Sequence, residues 1–150
     1  MRKSLATGLI TTLLTVGLAA SPAAAAPPLD VSITADEAIG AGGNFVASGP
    51  AVTAGLLCGT GVTTNVVGPA HGAATLIFKV DKTFVCDDAT GTFTLRLNVR
   101  LDTTTSFTTA NWRVVAGTGD YTDLRGNGSL IGTPIIAGTS ITDDYTGRLR

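Results

Sequence analysis

From Thr92 to Asp102 the chain alternates without a break, with Phe93, Leu95, Leu97, Val99 and Leu101 on one parity and Thr94, Arg96, Asn98 and Arg100 on the other. Successive side chains of a strand point to opposite faces, so this segment has one dry face and one wet face. A helix would scatter the same five apolar side chains around its circumference. The segment is therefore a half-buried strand, and the rest of the chain must cover its dry face.

A second strand is predicted from Ala74 to Cys86, where Leu76, Phe78, Val80, Phe84 and Cys86 share one parity. The link Asp87-Asp88-Ala89-Thr90-Gly91 is a hairpin loop by composition, so these two strands should pair antiparallel. Shorter strands are predicted at Leu29 to Thr34, Gly43 to Val52, Val62 to Val67, Asn111 to Ala116, Ser129 to Gly132 and Ser140 to Leu149. Gly-rich or Pro-containing links separate them, among them Gly40-Ala41-Gly42-Gly43, Gly59-Thr60-Gly61 and Gly68-Pro69-Ala70-His71-Gly72. No stretch sustains a 3.6-residue apolar period, so helices are few. About eight strands in one small domain predict either a β-sandwich or a closed barrel.

The first residues have a different character. Arg2 and Lys3 precede an apolar run from Leu5 to Ala20, and Ser21-Pro22-Ala23-Ala24-Ala25-Ala26 follows. This is the pattern of a cleavable secretory signal peptide. The run falls short of the roughly 20 apolar residues that a membrane helix needs, and no stop-transfer pattern follows it. Small residues suit the cut, and Pro just after it does not, which places cleavage after Ala25. The chain thus divides into a signal peptide, residues 1–25, and a single domain, residues 26–150, released outside the cell with no membrane anchor.

Once Arg2 and Lys3 leave with the signal, 8 basic residues face 11 acidic ones and the net charge is −3. The basic residues are scattered, so nothing in the domain is built to neutralise several phosphates, and nucleic acid is not an expected partner. Cys58 and Cys86 are the two cysteines. In an oxidising compartment two thiols pair, so a disulfide between them is expected. A metal site is not expected, because the cysteines are far apart in sequence and His71 adds one further ligand at most. Nothing points to a cofactor.

The segment from Trp112 to Gly128 contains Gly117-Thr118-Gly119, then Tyr121, then Asp123-Leu124-Arg125-Gly126. It resembles a turn of the dirigent proteins and allene oxide cyclases, in which a strand enters Gly-Thr-Gly, an aromatic follows and an Ala-Arg-Gly-like element opens the next strand. The resemblance covers about 20 residues. The chain is also similar to small secreted proteins of high-GC Gram-positive bacteria that carry this pattern, paired cysteines and an Asp-Tyr-x-Gly ending. The resemblance implies an eight-stranded antiparallel β-barrel of the allene oxide cyclase and dirigent type; an immunoglobulin-like sandwich is the alternative that the strand count leaves open. It also implies that a small apolar molecule occupies the barrel. Read physically, Gly117 and Gly119 supply positive φ for a sharp turn, and Tyr121 and Leu124 fold one helical turn over a barrel end.

No sequence motif names a reaction. A Gly-x-Ser-x-Gly elbow is absent, and His71 sits in a Gly-Pro loop. The pairs Asp36-Glu37, Asp87-Asp88 and Asp143-Asp144 lack the spaced oxygen ligands of a calcium loop, and turn or edge charges are the simpler reading. The leading candidates for a ligand site are Asp143 and Tyr145, which share parity with Ile141 and Leu149 in the final strand and so point a carboxylate and a phenol inward. A buried carboxylate beside apolar walls would have a raised pKa. Three functional classes follow: a carrier of a small apolar ligand, an isomerase- or cyclase-like enzyme, and a structural or interaction protein of the cell exterior. Whether the chain is an enzyme is left open by the sequence.

Overall fold

All eight predicted strands are present in the computed structural model, which describes residues 26–150; the signal peptide read over 1–25 lies outside the described residues. The strands are β1 (Leu29–Ala38), β2 (Gly42–Ser48), β3 (Thr60–Val67), β5 (Thr75–Cys86), β6 (Thr92–Asp102), β7 (Thr108–Gly117), β8 (Gly126–Ile136) and β9 (Ser140–Leu149). A two-residue strand, β4 (His71–Gly72), adds to the outer half of β5. Around the barrel the order is β3-β2-β1-β9-β8-β7-β6-β5, and pairing of β3 with β5 closes the ring. Every pairing is antiparallel. Closure leaves the eight strands without a free edge, which a sandwich would not.

Two expectations shift in detail. The strand predicted over Gly43 to Val52 stops at Ser48, because Pro50 cannot donate to a ladder; it opens a one-turn helix, α1 (Pro50–Thr53), instead. In the Gly-Thr-Gly turn Gly119 takes positive φ, at 58°, whereas Gly117 does not. Gly117 is there for space: a β-carbon would collide with the carbonyl of Tyr121.

The inward parity of β6, Phe93 to Val99, is buried as the alternation requires. The two ends of the barrel differ. At one end the disulfide Cys58–Cys86, Leu57 and Ala51 close the opening, and a 3-10 turn (Gly119–Tyr121) folds Tyr121 and Leu124 across it. Beneath this plug lies an aromatic cluster. Phe84 stacks on Phe93 at 4.7 Å between centroids, with Phe45 and Tyr145 edge-on to Phe84 at 5.1 and 5.8 Å. Trp112, buried further round the barrel, lies against Gly128 and Gly147, where any larger residue would displace its ring. The other end is formed by the β1–β2, β6–β7 and β8–β9 turns and the link from β3 to β5, and nothing comparable plugs it among the described residues.

Gly119→Val tests the plug. The substitution forces a β-branched residue to positive φ and drives its β-carbon into the Thr90 carbonyl, so a loss of about 2–3 kcal/mol is expected, read as a lowered urea midpoint. An unchanged midpoint would show that the turn bends elsewhere.

Candidate functional site

Between the aromatic cluster and the open end the barrel interior turns polar. Lys82 on β5 points inward on the same parity as Val80 and Phe84 and is 3% exposed. Its Nζ donates to Glu37 Oε2 on β1 and to Asp143 Oδ2 on β9, each at 2.7 Å. The ammonium also lies 5.3 Å from the centroid of the Tyr145 ring. Glu37 accepts further bonds from β3: Thr63 Oγ1 donates to Oε1 at 2.8 Å and Asn65 Nδ2 to Oε2 at 3.2 Å. The Tyr145 hydroxyl donates to Asp143 Oδ2 at 3.3 Å.

Glycines flank this layer. Gly43 faces inward opposite Glu37, and a β-carbon there would collide with the Asp36 carbonyl of β1. Gly132 lies opposite Asp143, and a β-carbon there would come within 2.6 Å of Asp143 Oδ1. The Asp143 carboxylate therefore lies where the neighbouring strand carries no side chain, a local condition that the register creates.

Burial pushes the Asp143 carboxyl above its ordinary range; the adjacent Lys82 ammonium opposes this and the Glu37 charge adds to it. Burial, together with the Asp143 and Glu37 charges, pushes the Tyr145 phenol well above its usual value, so it stays a proton donor at physiological pH.

Above the polar layer is a cavity of about 160 Å³. Its walls are apolar, formed by Phe78, Val80, Leu97, Val99, Leu130 and Ile141, and Glu37, Asn65, Lys82 and Asp143 are its floor. Ile39, Val67, Ser106 and Gly138 stand at the mouth. A pocket with apolar walls and a few convergent polar groups is the usual architecture of a small-molecule site.

Of the two candidate ligand residues, Asp143 lines the cavity, while Tyr145 is buried one layer below and holds Asp143 from beneath. Glu37 and Lys82 were missed by the sequence reading. Lys82 interrupts the apolar parity of Leu76, Phe78, Val80, Phe84 and Cys86, and Glu37 continues the parity of Val31, Ile33 and Ala35; a charge on an inward register is the signal that marks both. Their sequence neighbours face outward: Asp36 accepts from Thr142 at 2.6 Å and Asp144 from Thr34 at 2.8 Å. Asp88 accepts from Thr90 within the β5–β6 turn. His71 is exposed on β4 and does not line the cavity. The Gly117-Thr118-Gly119 turn belongs to the plugged end. Among the described residues no three His, Cys, Asp or Glu side chains come together as a metal site.

The arrangement can hold an apolar body against the walls while its polar end meets hydrogen-bonding groups on the floor. Comparisons place no relative beside it: no family model, no curated protein and no solved structure matches this chain.

Proposed function

We propose that this is a secreted binding protein that takes a small, mainly apolar molecule into the open half of its barrel, with Asp143 at the ligand's polar end. The observation that carries this reading is the one-ended cavity, with apolar walls over a floor of charged groups. Its volume bounds the ligand. Drug-sized ligands occupy about 300–1,000 Å³, whereas an apolar cavity of about 150 Å³ holds benzene. The occupant is therefore on the scale of a single ring or a short chain, with any longer tail emerging past Ile39 and Val67. Export is supported by the signal-like pattern of residues 1–25 and by the disulfide. The local likeness to dirigent proteins and allene oxide cyclases, which handle small apolar molecules inside a barrel, agrees with this reading.

One observation favours a second reading. The Asp143 carboxyl both faces the cavity and has a raised pKa, the condition for a general acid or base in an isomerase-like reaction. Turnover of a bound ligand, abolished in Asp143→Asn, would distinguish it from carriage alone.

The test is a toluene titration of protein recovered from culture medium, whose intact mass should correspond to a chain beginning at Ala26. Toluene is expected to raise the melting temperature, since a ligand at 100 times its Kd stabilises by about 2.7 kcal/mol. Leu101 also lines the cavity, and Leu101→Trp, which fills it, should abolish the effect. A melting temperature that neither toluene nor its amine and alcohol analogues shift in the wild-type protein, or binding that survives a Leu101→Trp change at the cavity wall, would remove the cavity as the site.

A further inference from the structure

The hydrogen-bond inventory of the cavity floor is unbalanced. The charged groups lining the cavity are two carboxylates, Glu37 and Asp143, and one ammonium, Lys82. Both Glu37 oxygens are engaged, by Thr63, Asn65 and Lys82. Asp143 differs: Oδ2 receives Lys82 and Tyr145, while Oδ1, lying over Gly132, has no hydrogen-bond partner among the described residues. Asp143 Oδ1 is open to the cavity, whereas Asn65 Oδ1 is buried without a partner. Its orientation follows from Glu37, because turning the amide would set its carbonyl against a carboxylate that now receives its N–H. The floor thus presents unfilled acceptors and an excess of one negative charge.

Resting on the reading of the cavity as a ligand site, we infer that the ligand carries a protonated amine, and that this ammonium docks on Asp143 Oδ1. Three features of the site favour a cation. An anion would face two carboxylates across an apolar space, where like charges are poorly screened. A molecule lacking a donor would leave Oδ1 buried and unpaired, which costs more than the bond it could have made. An ammonium fills the vacant acceptor and balances the charge. Lys82 does not bar it, since its Nζ is held between Glu37 Oε2 and Asp143 Oδ2, while the free oxygen of Asp143 is the one over Gly132. The inferred ligand class is a small primary amine on an aromatic ring or short aliphatic chain.

Four probes of similar shape decide the matter by calorimetry at neutral pH and fixed ionic strength: benzylamine, benzyl alcohol, benzoate and toluene. Benzylamine should bind about tenfold or more tighter than benzyl alcohol, as a charge-assisted hydrogen bond in a buried site requires, and benzoate should bind most weakly. In Asp143→Asn the ratio of amine to alcohol affinity should fall to about one. Thermal denaturation shows whether that variant is folded; if it is not, the wild-type series stands as the test. Benzyl alcohol or benzoate binding as tightly as benzylamine to the wild-type protein overturns the inference and leaves the cavity as a ligand site. Failure of all four, toluene included, overturns the reading of the cavity and this inference with it.

Discussion

Lys82→Met is expected to destabilise the barrel by about 3–5 kcal/mol at neutral pH, the range for removing one partner of a buried ion pair. The substitution nearly conserves volume, so the loss does not come from a cavity. It comes from Glu37 and Asp143, which then face the same interior space with no counter-ion. The effect has a definite pH dependence. Burial already raises the Asp143 carboxyl in the wild-type protein, so its contribution is full below the ordinary carboxylate range and is lost as pH climbs through the raised value. Without the ammonium that rise is larger, so the gap between variant and wild type should be widest at neutral pH and narrow below about pH 4. Urea denaturation at both pH values measures it, and a variant within 1 kcal/mol of wild type at neutral pH, a threshold of about fivefold in the folding constant, would refute it. The triple variant Lys82→Met/Glu37→Gln/Asp143→Asn, which removes every charge from the floor, should recover most of the loss. A buried ion network is often no more stabilising than neutral groups of the same size. Recovery would thus show that the fold does not need these charges, as expected if they serve a ligand.

Replacing Cys58 and Cys86 together by Ala should cost about 3.5 kcal/mol, the loop-closure entropy for a bond spanning 28 positions, and lower the melting temperature by roughly 10–18 °C. The bond joins the β2–β3 link to the end of β5, and both half-cystines are buried in the plug. Lost packing there adds to the entropic cost. The fold should nevertheless persist at room temperature, because Phe45, Phe84, Phe93 and Tyr145 pack on one another without help from the bond. Far-UV circular dichroism and thermal melts of the double variant supply the test. Equal melting temperatures, or two labelled thiols per native wild-type chain, would contradict it.

The strands were legible because their signal is local. Thr92 to Asp102 was assigned from its own alternation and has the same limits in the structure. The hairpin at Asp87 to Gly91 follows from turn residues between two such runs. Errors arose where a local signal met a stronger non-local one. The final residues of β1, Ala35 to Ala38, are polar enough to read as a loop, yet ladders to both β2 and β9 hold them extended. The candidate site was half legible: strand parity turned Asp143 and Tyr145 inward, but their partners lie 61 and 106 positions upstream of Asp143, at Lys82 and Glu37.

By itself the sequence determined the side-chain alternation, the turns, the pairing of two thiols and the scarcity of helix among the described residues. Each of these depends on residues close along the chain or on a count. Only the tertiary structure decided between sandwich and barrel, since closure is the meeting of β3 with β5 and no local pattern encodes it. Closure also decided the site. It set Lys82 between carboxylates from two other strands, placed Gly132 where the Asp143 carboxylate needs room, and left Asp143 Oδ1 without a partner among the described residues. The physical reason is that a strand's parity says which side chains point inward, whereas the register around a closed ring says which of them meet.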